Sequence, residues 1–310
     1  MALDIIAIGE PLYEFNRQRD GHFLRGFGGD TSNVAIAAAR LGARATYVSR
    51  IGRDMYGDAL LELWEKEGVD ASAVLRDDEA PTGLYFVTHE GGGHQFTYRR
   101  KGSAASRMTA RDVPEKLVAE ARYLHVSGIS QAISGTAAAA VDHAIAIAIA
   151  AGVAVSYDTN YRPRLWPADV ARRTVESTAA YAGVLKTSQE DAAALLQLLE
   201  PQAIARHFIA LGSKAVVVTL GAGGVLVATA KGNAVIEGFT VGAVDATGAG
   251  DAFTGALLAE LARGKELFAS CRFANAAAAL STLGYGAIAP LPRRAEVVQF
   301  LAKHGERKLA

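Results

Sequence analysis

Short runs of aliphatic and β-branched residues recur along the chain, and between them apolar residues fall at helical spacing. "DIIAIG" (4–9), "ATYVSRIG" (45–52), "RYLHVSG" (122–128), "VAVSYD" (153–158), "AGVLKTS" (182–188) and "KAVVVTLG" (214–221) predict core strands. Helices are predicted between them, for example over 33–41, 54–67, 134–151 and 190–199. Strand-helix-strand alternation of this kind predicts an α/β fold with a mostly parallel sheet covered on both faces. Two stretches break the rhythm. Residues 12–27 and 83–100 read as extended chain with no helix, the second as a hairpin of "TGLYFVT" and "HQFTYRR" around "HEGGG". They predict a small extra β-sheet, either an ornament through which copies pair or a lid that keeps water from a site.

The most apolar stretch is "TAAAAVDHAIAIAIAAGVAV" (136–155), long enough to raise the question of a membrane span. Asp142 and His143 interrupt it, and alanine, its commonest residue, is weakly hydrophobic but strongly helix-forming. A buried helix closed by Gly152, followed by a strand, is the expectation.

With 310 residues, half of them hydrophobic, the chain can bury a large core, and residues 1–310 read as a single α/β unit. Its 32 basic and 32 acidic side chains balance. No net field then recruits nucleic acid or an anionic membrane, and a small-molecule partner is expected. Cys271 has no second cysteine to pair with, and "MALDIIAIGE" carries no basic leader, so a reducing, cytoplasmic setting is expected.

The chemistry begins with two missing fingerprints. After the first strand the chain reads "GEPLYEF" instead of G-x-G-x-x-G, which weakens a dinucleotide-binding dehydrogenase, and G-x-x-x-x-G-K-[ST] occurs nowhere. "VDATGAGDAF" (244–253) offers another construction. If a helix begins near Gly248, the backbone N–H groups of Gly248, Ala249, Gly250 and Asp251 sit at its positive end and form an anion hole. Asp251 beside them can be a base for a hydroxyl nucleophile or an ordinary first-turn acid, and Asp245 or Thr247 can be a plain cap.

"GGDTSNVAIAAARLG" (28–42), "IGRDMYG" (51–57) and "VDATGAGDAFTGALL" (244–258) together resemble the signature regions of the ribokinase-like (phosphofructokinase B) carbohydrate kinases. The resemblance runs through essentially the whole chain. It implies a three-layer αβα sandwich with a β lid, ATP as donor, Mg²⁺, and a sugar hydroxyl as acceptor. "FTYRRKGSAASRM" (96–108), "YLHVSGIS" (123–130) and "SYDTNYRPRLW" (156–166) are similar to 2-keto-3-deoxygluconate kinases. That implies a sugar acid phosphorylated at its C6 hydroxyl. Arg100 and Arg162, at ends of predicted strands, fit such a substrate, because arginine grips a carboxylate through two parallel hydrogen bonds. Fructokinase, ribokinase and a non-catalytic sugar- or nucleotide-binding protein are the rival readings.

The same resemblance implies Asp251 as base, with Gly248, Ala249 and Gly250 in the anion hole. Gly29, Asp30 and Asn33 would line the sugar pocket, although Asp30 and Asn33 could simply cap a helix. Tyr85 and Tyr98 would reach down from the lid, or pack within it. Gly221 and Gly223 in "TLGAGG" and Asn275 would lie near the nucleotide, though a tight turn and a helix surface would use the same residues. The family's N-x-x-E appears here as "SQED", which leaves Ser188 beside the nucleotide and Asp191 as the carboxylate toward Mg²⁺. His89 and His94 read as exposed hairpin residues rather than a metal pair, His125 as packed, and Cys271 as no nucleophile. A homo-oligomer, a dimer or larger, formed through the lid is expected.

Overall fold

The computed structural model describes residues 3–90 and 93–304. The strands are β1 (Leu3–Ile8), β2 (Leu12–Arg17), β3 (Phe23–Gly28), β4 (Ala45–Gly52), β5 (Val74–Asp77), β6 (Leu84–Glu90) and β7 (Gly93–Arg99). They continue as β8 (Ala121–Ser127), β9 (Ala154–Asp158), β10 (Ala182–Ser188), β11 (Ala215–Thr219), β12 (Gly224–Thr229) and β13 (Gly232–Glu237). The α-helices are α1 (Asp30–Arg40), α2 (Met55–Glu67), α3 (Glu115–Glu120), α4 (Gly128–Ala132), α5 (Gly135–Ala151), α6 (Ala168–Ala179), α7 (Gln189–Leu196), α8 (Pro201–Leu211), α9 (Ala249–Ala262), α10 (Leu267–Ser281) and α11 (Arg294–His304).

A nine-stranded sheet in the order β13-β12-β11-β10-β9-β8-β1-β4-β5 forms the middle layer. From β5 through β11 neighbouring strands run parallel, and β12 and β13 add an antiparallel edge. Period two divides β1 between the two faces. Ile6 and Ile8 enter the core beneath α5, whereas Ile5 packs with residues of α1 and α9. Both faces are buried, which is why these strands read as unbroken apolar runs. The expected sandwich is therefore present.

Helix ends follow local chemistry. Asp54 caps α2 by accepting from the N–H groups of Tyr56 and Gly57, and Ser134 caps α5. Gly152 closes α5 in the left-handed conformation, so the apolar 136–155 stretch is a helix followed by a strand. Among the described residues no helix is long and apolar enough to cross a membrane. Two helix boundaries differ from expectation. α1 starts at Asp30, three residues before the apolar period begins, and α7 ends at Leu196, where Gln197 turns left-handed.

Residues 12–27 and 83–100 form the second sheet, of order β3-β2-β6-β7, with β2 and β6 parallel and the outer pairs antiparallel. One face stacks aromatics: Phe15 packs against Phe23, Phe86 and Tyr56. Glu14, Asn16, Val87 and Phe96 instead line a narrow cleft with Asp245, Thr247, Tyr285 and Gly286. This sheet thus roofs the start of α9. His89 and His94 pair as backbone partners in the hairpin, but their side chains lie outside the described residues.

Candidate active site

In the strand order the chain leaves β1 toward β4 and β5 on one side and returns to β8 on the other. In an open α/β sheet this reversal opens a crevice beyond the carboxyl ends of the strands, where ligands bind. Glu10 follows β1 there, Asp158 ends β9, and Lys186 and Ser188 lie at the end of β10. The N-termini of α1 and α9 point the residues of both signature stretches into the same space.

Gly248 precedes α9 with φ 75°, a conformation that strains any side-chain-bearing residue. A Cβ there would also stand 3.0 Å from the Cα of Ala287. The turn brings three N–H groups of the loop and first turn, those of Gly248, Gly250 and Asp251, to the helix end with no acceptor among the described residues. Ala249 differs from expectation, because its N–H donates to the carbonyl of Ala246 at 3.1 Å. Asp245 and Thr247 do not cap α9. Asp245 instead braces the loop, accepting from the N–H and hydroxyl of Thr247 (2.9 and 2.6 Å) and from the N–H of Gly286 (2.9 Å).

Asp251 accepts a 2.8 Å hydrogen bond from the amide of Asn33. Burial pushes its carboxyl up to about 7, and the like charge of Asp30 adds to that, while the Asn33 hydrogen bond and the Lys186 ammonium pull it back. Asp30 is buried and accepts from Asn160 at 3.0 Å, leaving its other oxygen and the Asn33 carbonyl oxygen buried and unpaired. Neither side chain caps α1. Gly29 is the residue before that helix, with φ 103°, and a Cβ on it would lie 2.3 Å from the carbonyl of Glu10. Its place is set by that close approach.

Two buried unpaired acceptors facing a carboxylate of raised proton affinity are what a polyol needs, since hydroxyls can donate to both. Tyr85 is buried in the second sheet, donates to Glu14, and stacks on Tyr98 with ring centroids 5.7 Å apart. Tyr98 is 39% exposed and carries the open face. Arg100 lies 5.4 Å over the Tyr98 ring and ion-pairs with the fully buried Glu10, which also accepts from Ser103 at 2.8 Å. Arg162 is exposed. Its guanidinium donates to the Tyr161 carbonyl at 3.0 Å and stands near Asp191, with no ion pair within 4.0 Å among the described residues.

Ser188 caps α7, accepting from the N–H of Asp191 at 2.9 Å. The Asp191 carboxylate accepts from the Tyr161 N–H at 3.2 Å and is pushed up mainly by burial. Among the described residues no cluster of three or more His, Cys, Asp or Glu is arranged to hold a metal ion. A lone carboxylate still suits Mg²⁺ that arrives on nucleotide phosphates, because that ion keeps several waters and uses one or two carboxylates. Gly221 and Gly223 form an exposed turn between β11 and β12, the tight-turn alternative. The carbonyl of Gly223 receives the N–H of Gly238 at 3.2 Å, and Asn275 donates to the carbonyls of Ile236 and Glu237 at 3.1 and 3.3 Å. Asn275 is buried, not a helix-surface residue, and shares one patch with that turn at the sheet edge.

Four residues escaped sequence reasoning. Lys186, buried beneath α9, donates to Asp158 at 2.8 Å; Asp158 also receives the N–H of Asn160 at 3.2 Å, and Asn160 donates to Asp30. Asn160 adopts φ 33°, left-handed and unusual outside glycine. Glu10 is the fourth. The available signal was the polar cluster in "SYDTNY" and the lone lysine of "VLKTS", each at the end of an apolar strand. His125 is buried and held neutral, its proton affinity lowered to about 4 by burial, and burial pushes the Cys271 thiol up. Both are packing residues.

A helix N-terminus with free N–H groups beside a buried carboxylate, beneath a second sheet, is an arrangement suited to phosphoryl transfer to a hydroxyl. Residues 2–294 match the pfkB family of carbohydrate kinases, and the chain belongs to that family. It is an ATP-dependent sugar kinase. It is 35% identical to 2-dehydro-3-deoxygluconokinase of Thermoproteus tenax over 95% of this chain and 93% of that protein. It is 34% identical to fructokinase-1 of Zea mays over 96% of this chain and 98% of that protein. The structure is similar to a putative ribokinase II of E. coli in complex with ATP and Mg²⁺, with a TM-score of 0.89, 26% identity, and 97% of this chain and 100% of that one covered.

Proposed function

We propose that the chain transfers the γ-phosphoryl group of ATP to the C6 hydroxyl of 2-keto-3-deoxygluconate (2-dehydro-3-deoxygluconate). Asp251 takes the hydroxyl proton as the oxygen attacks phosphorus, and the bond from phosphorus to the departing ADP oxygen breaks in line with it. The N–H groups of Gly248, Gly250 and Asp251 hold the charge of the group in flight. Asp30 and Asn33 orient the sugar, and the β2-β6 sheet excludes water. Mg²⁺ bound with the nucleotide would neutralise phosphate charge, and Asp191 is the residue to hold it. Gly221, Gly223 and Asn275 would border the nucleotide base, and Ser188 shapes the turn beside Asp191.

The observation that carries the sugar-acid reading is Arg162, an accessible guanidinium with no carboxylate paired to it in the described structure. A neutral sugar makes no demand on such a cation, whereas a carboxylate can take two of its donors. Arg100 would serve the same carboxylate only by sharing its cation with Glu10. The 2-dehydro-3-deoxygluconokinase relatives support this substrate, and the fructokinases make fructose the second reading. An ATP-dependent phosphorylation screen over 2-keto-3-deoxygluconate, fructose and ribose tests it. Sugar-acid preference is expected, with Arg162→Gln raising KM for the acid about tenfold or more and leaving neutral sugars unchanged. Preference for fructose or ribose would overturn it.

A further inference from the structure

Lys186 has no assigned role in the transfer described above, yet its side chain is buried against the first turn of α9. Its ammonium is buried and makes one ion pair, at 2.8 Å, with Asp158. An ammonium has three donors, so this contact leaves two for the surroundings. The surroundings are the first turn of α9: a Cβ on Gly250 would lie 2.8 Å from Lys186 Nζ, with nothing else nearer than the same side chain's Cε at 3.8 Å. Gly250 does not adopt a positive φ, so alanine is compatible with its backbone. The group a side chain there would have to displace is the lysine's ammonium.

We propose that Lys186 is a positioning residue for Asp251, its ammonium lodged in the space left by the missing Gly250 side chain so that a fixed positive charge stands beneath the base. This rests on Asp251 being the base. The groups that face the pair are few and mostly acidic. Asp30 comes from α1, Asp158 from β9, Asp191 from α7 and the Tyr85 hydroxyl from the lid. Neutral His125 lies on β8, and Arg162 stands by Asp191. Without a cation beneath α9, the carboxylates of Asp30 and Asp158 would bear on Asp251 unopposed in a buried setting, and each like charge favours the protonated form, which cannot accept a proton. Asp158 holds the ammonium in place, and its partnership keeps Lys186 charged despite burial. The glycine before the catalytic aspartate therefore serves two ends here: close approach of phosphate from outside and of the ammonium from within.

The test is the titration of the Asp251 carboxyl in the ligand-free protein, followed by ¹³C NMR and assigned by its loss in Asp251→Asn. Lys186→Gln is expected to move the midpoint upward from about 7 by about one unit or more. Gly250→Ala, which keeps the lysine but crowds out its head group, should move it in the same direction. A folded Lys186→Gln protein with an unmoved or lowered midpoint overturns the proposal. Should that variant not fold, an unmoved midpoint in Gly250→Ala does the same. The acid limb of kcat/KM against pH separates the two readings: if the carboxyl midpoint rises but the rate profile stays, Lys186 tunes Asp251 and Asp251 is not the base.

Discussion

Replacing Asp251 by asparagine should stabilise the fold while nearly abolishing turnover, and the pH dependence of the gain identifies its origin. The carboxyl rises from an ordinary 3.8 to about 7 in the folded chain. A folded state that holds a proton more tightly than the unfolded state is favoured below the unfolded value and loses that advantage as pH rises through the folded one. About three units correspond to a ceiling of about 4 kcal/mol. Solvent reaches part of this side chain, so about 2 kcal/mol is the working figure. Asparagine keeps the shape and cannot ionise, and the Asn33 amide can turn to satisfy it. Urea unfolding of both proteins at several pH values measures the difference. The stability of the variant relative to the parent should grow between about pH 4 and pH 7 and level off above about pH 8. Turnover at neutral pH should fall about 10²- to 10⁴-fold, the range of a lost general base. Parallel stability curves, or a variant less stable at pH 8 than its parent, would refute the account of a carboxylate held against its own ionisation.

Two further outcomes follow from packing and charge. Gly248→Ala forces a side chain into φ 75° and to 3.0 Å from the Ala287 backbone, so it should cost about 1–3 kcal/mol in thermal or urea unfolding and lower kcat more than it raises KM. Arg100→Gln strips the buried Glu10 of its cation, and since burial already raises that carboxyl, its proton affinity climbs further. Stability of this variant should therefore fall relative to the parent as pH rises above the ordinary glutamate range, a trend that unfolding at three pH values would show or exclude.

Much of the fold was legible because it rests on periodicity. "DIIAIG" and "KAVVVTLG" could be placed as buried strands without knowing their neighbours, since a strand covered on both faces has no polar alternation. Gly152 marked a helix end for a reason local to the backbone. The antiparallel pair β12 and β13 and the short β5 were not anticipated, because edge strands carry mixed patterns such as "GNAVIE". α1 began earlier than its apolar period because its first turn is polar, with Asp30 and Asn33 bonded to Asn160 and Asp251 rather than packed among apolar side chains.

The site divides along the same line. Sequence alone determined that Asp251 follows two glycines at the head of a helix, that the common nucleotide fingerprints are missing, and that a small second sheet interrupts the alternation. These are properties of neighbours along the chain. Tertiary structure decided which charges meet: Asn33 with Asp251, Asn160 with Asp30, Lys186 with Asp158 beneath Gly250, and Arg100 with Glu10 rather than with open solvent. Proton affinity depends on burial and on charges a few ångströms away, and the parallel sheet brings together strand ends separated by more than a hundred residues. No reading along the chain contains those distances.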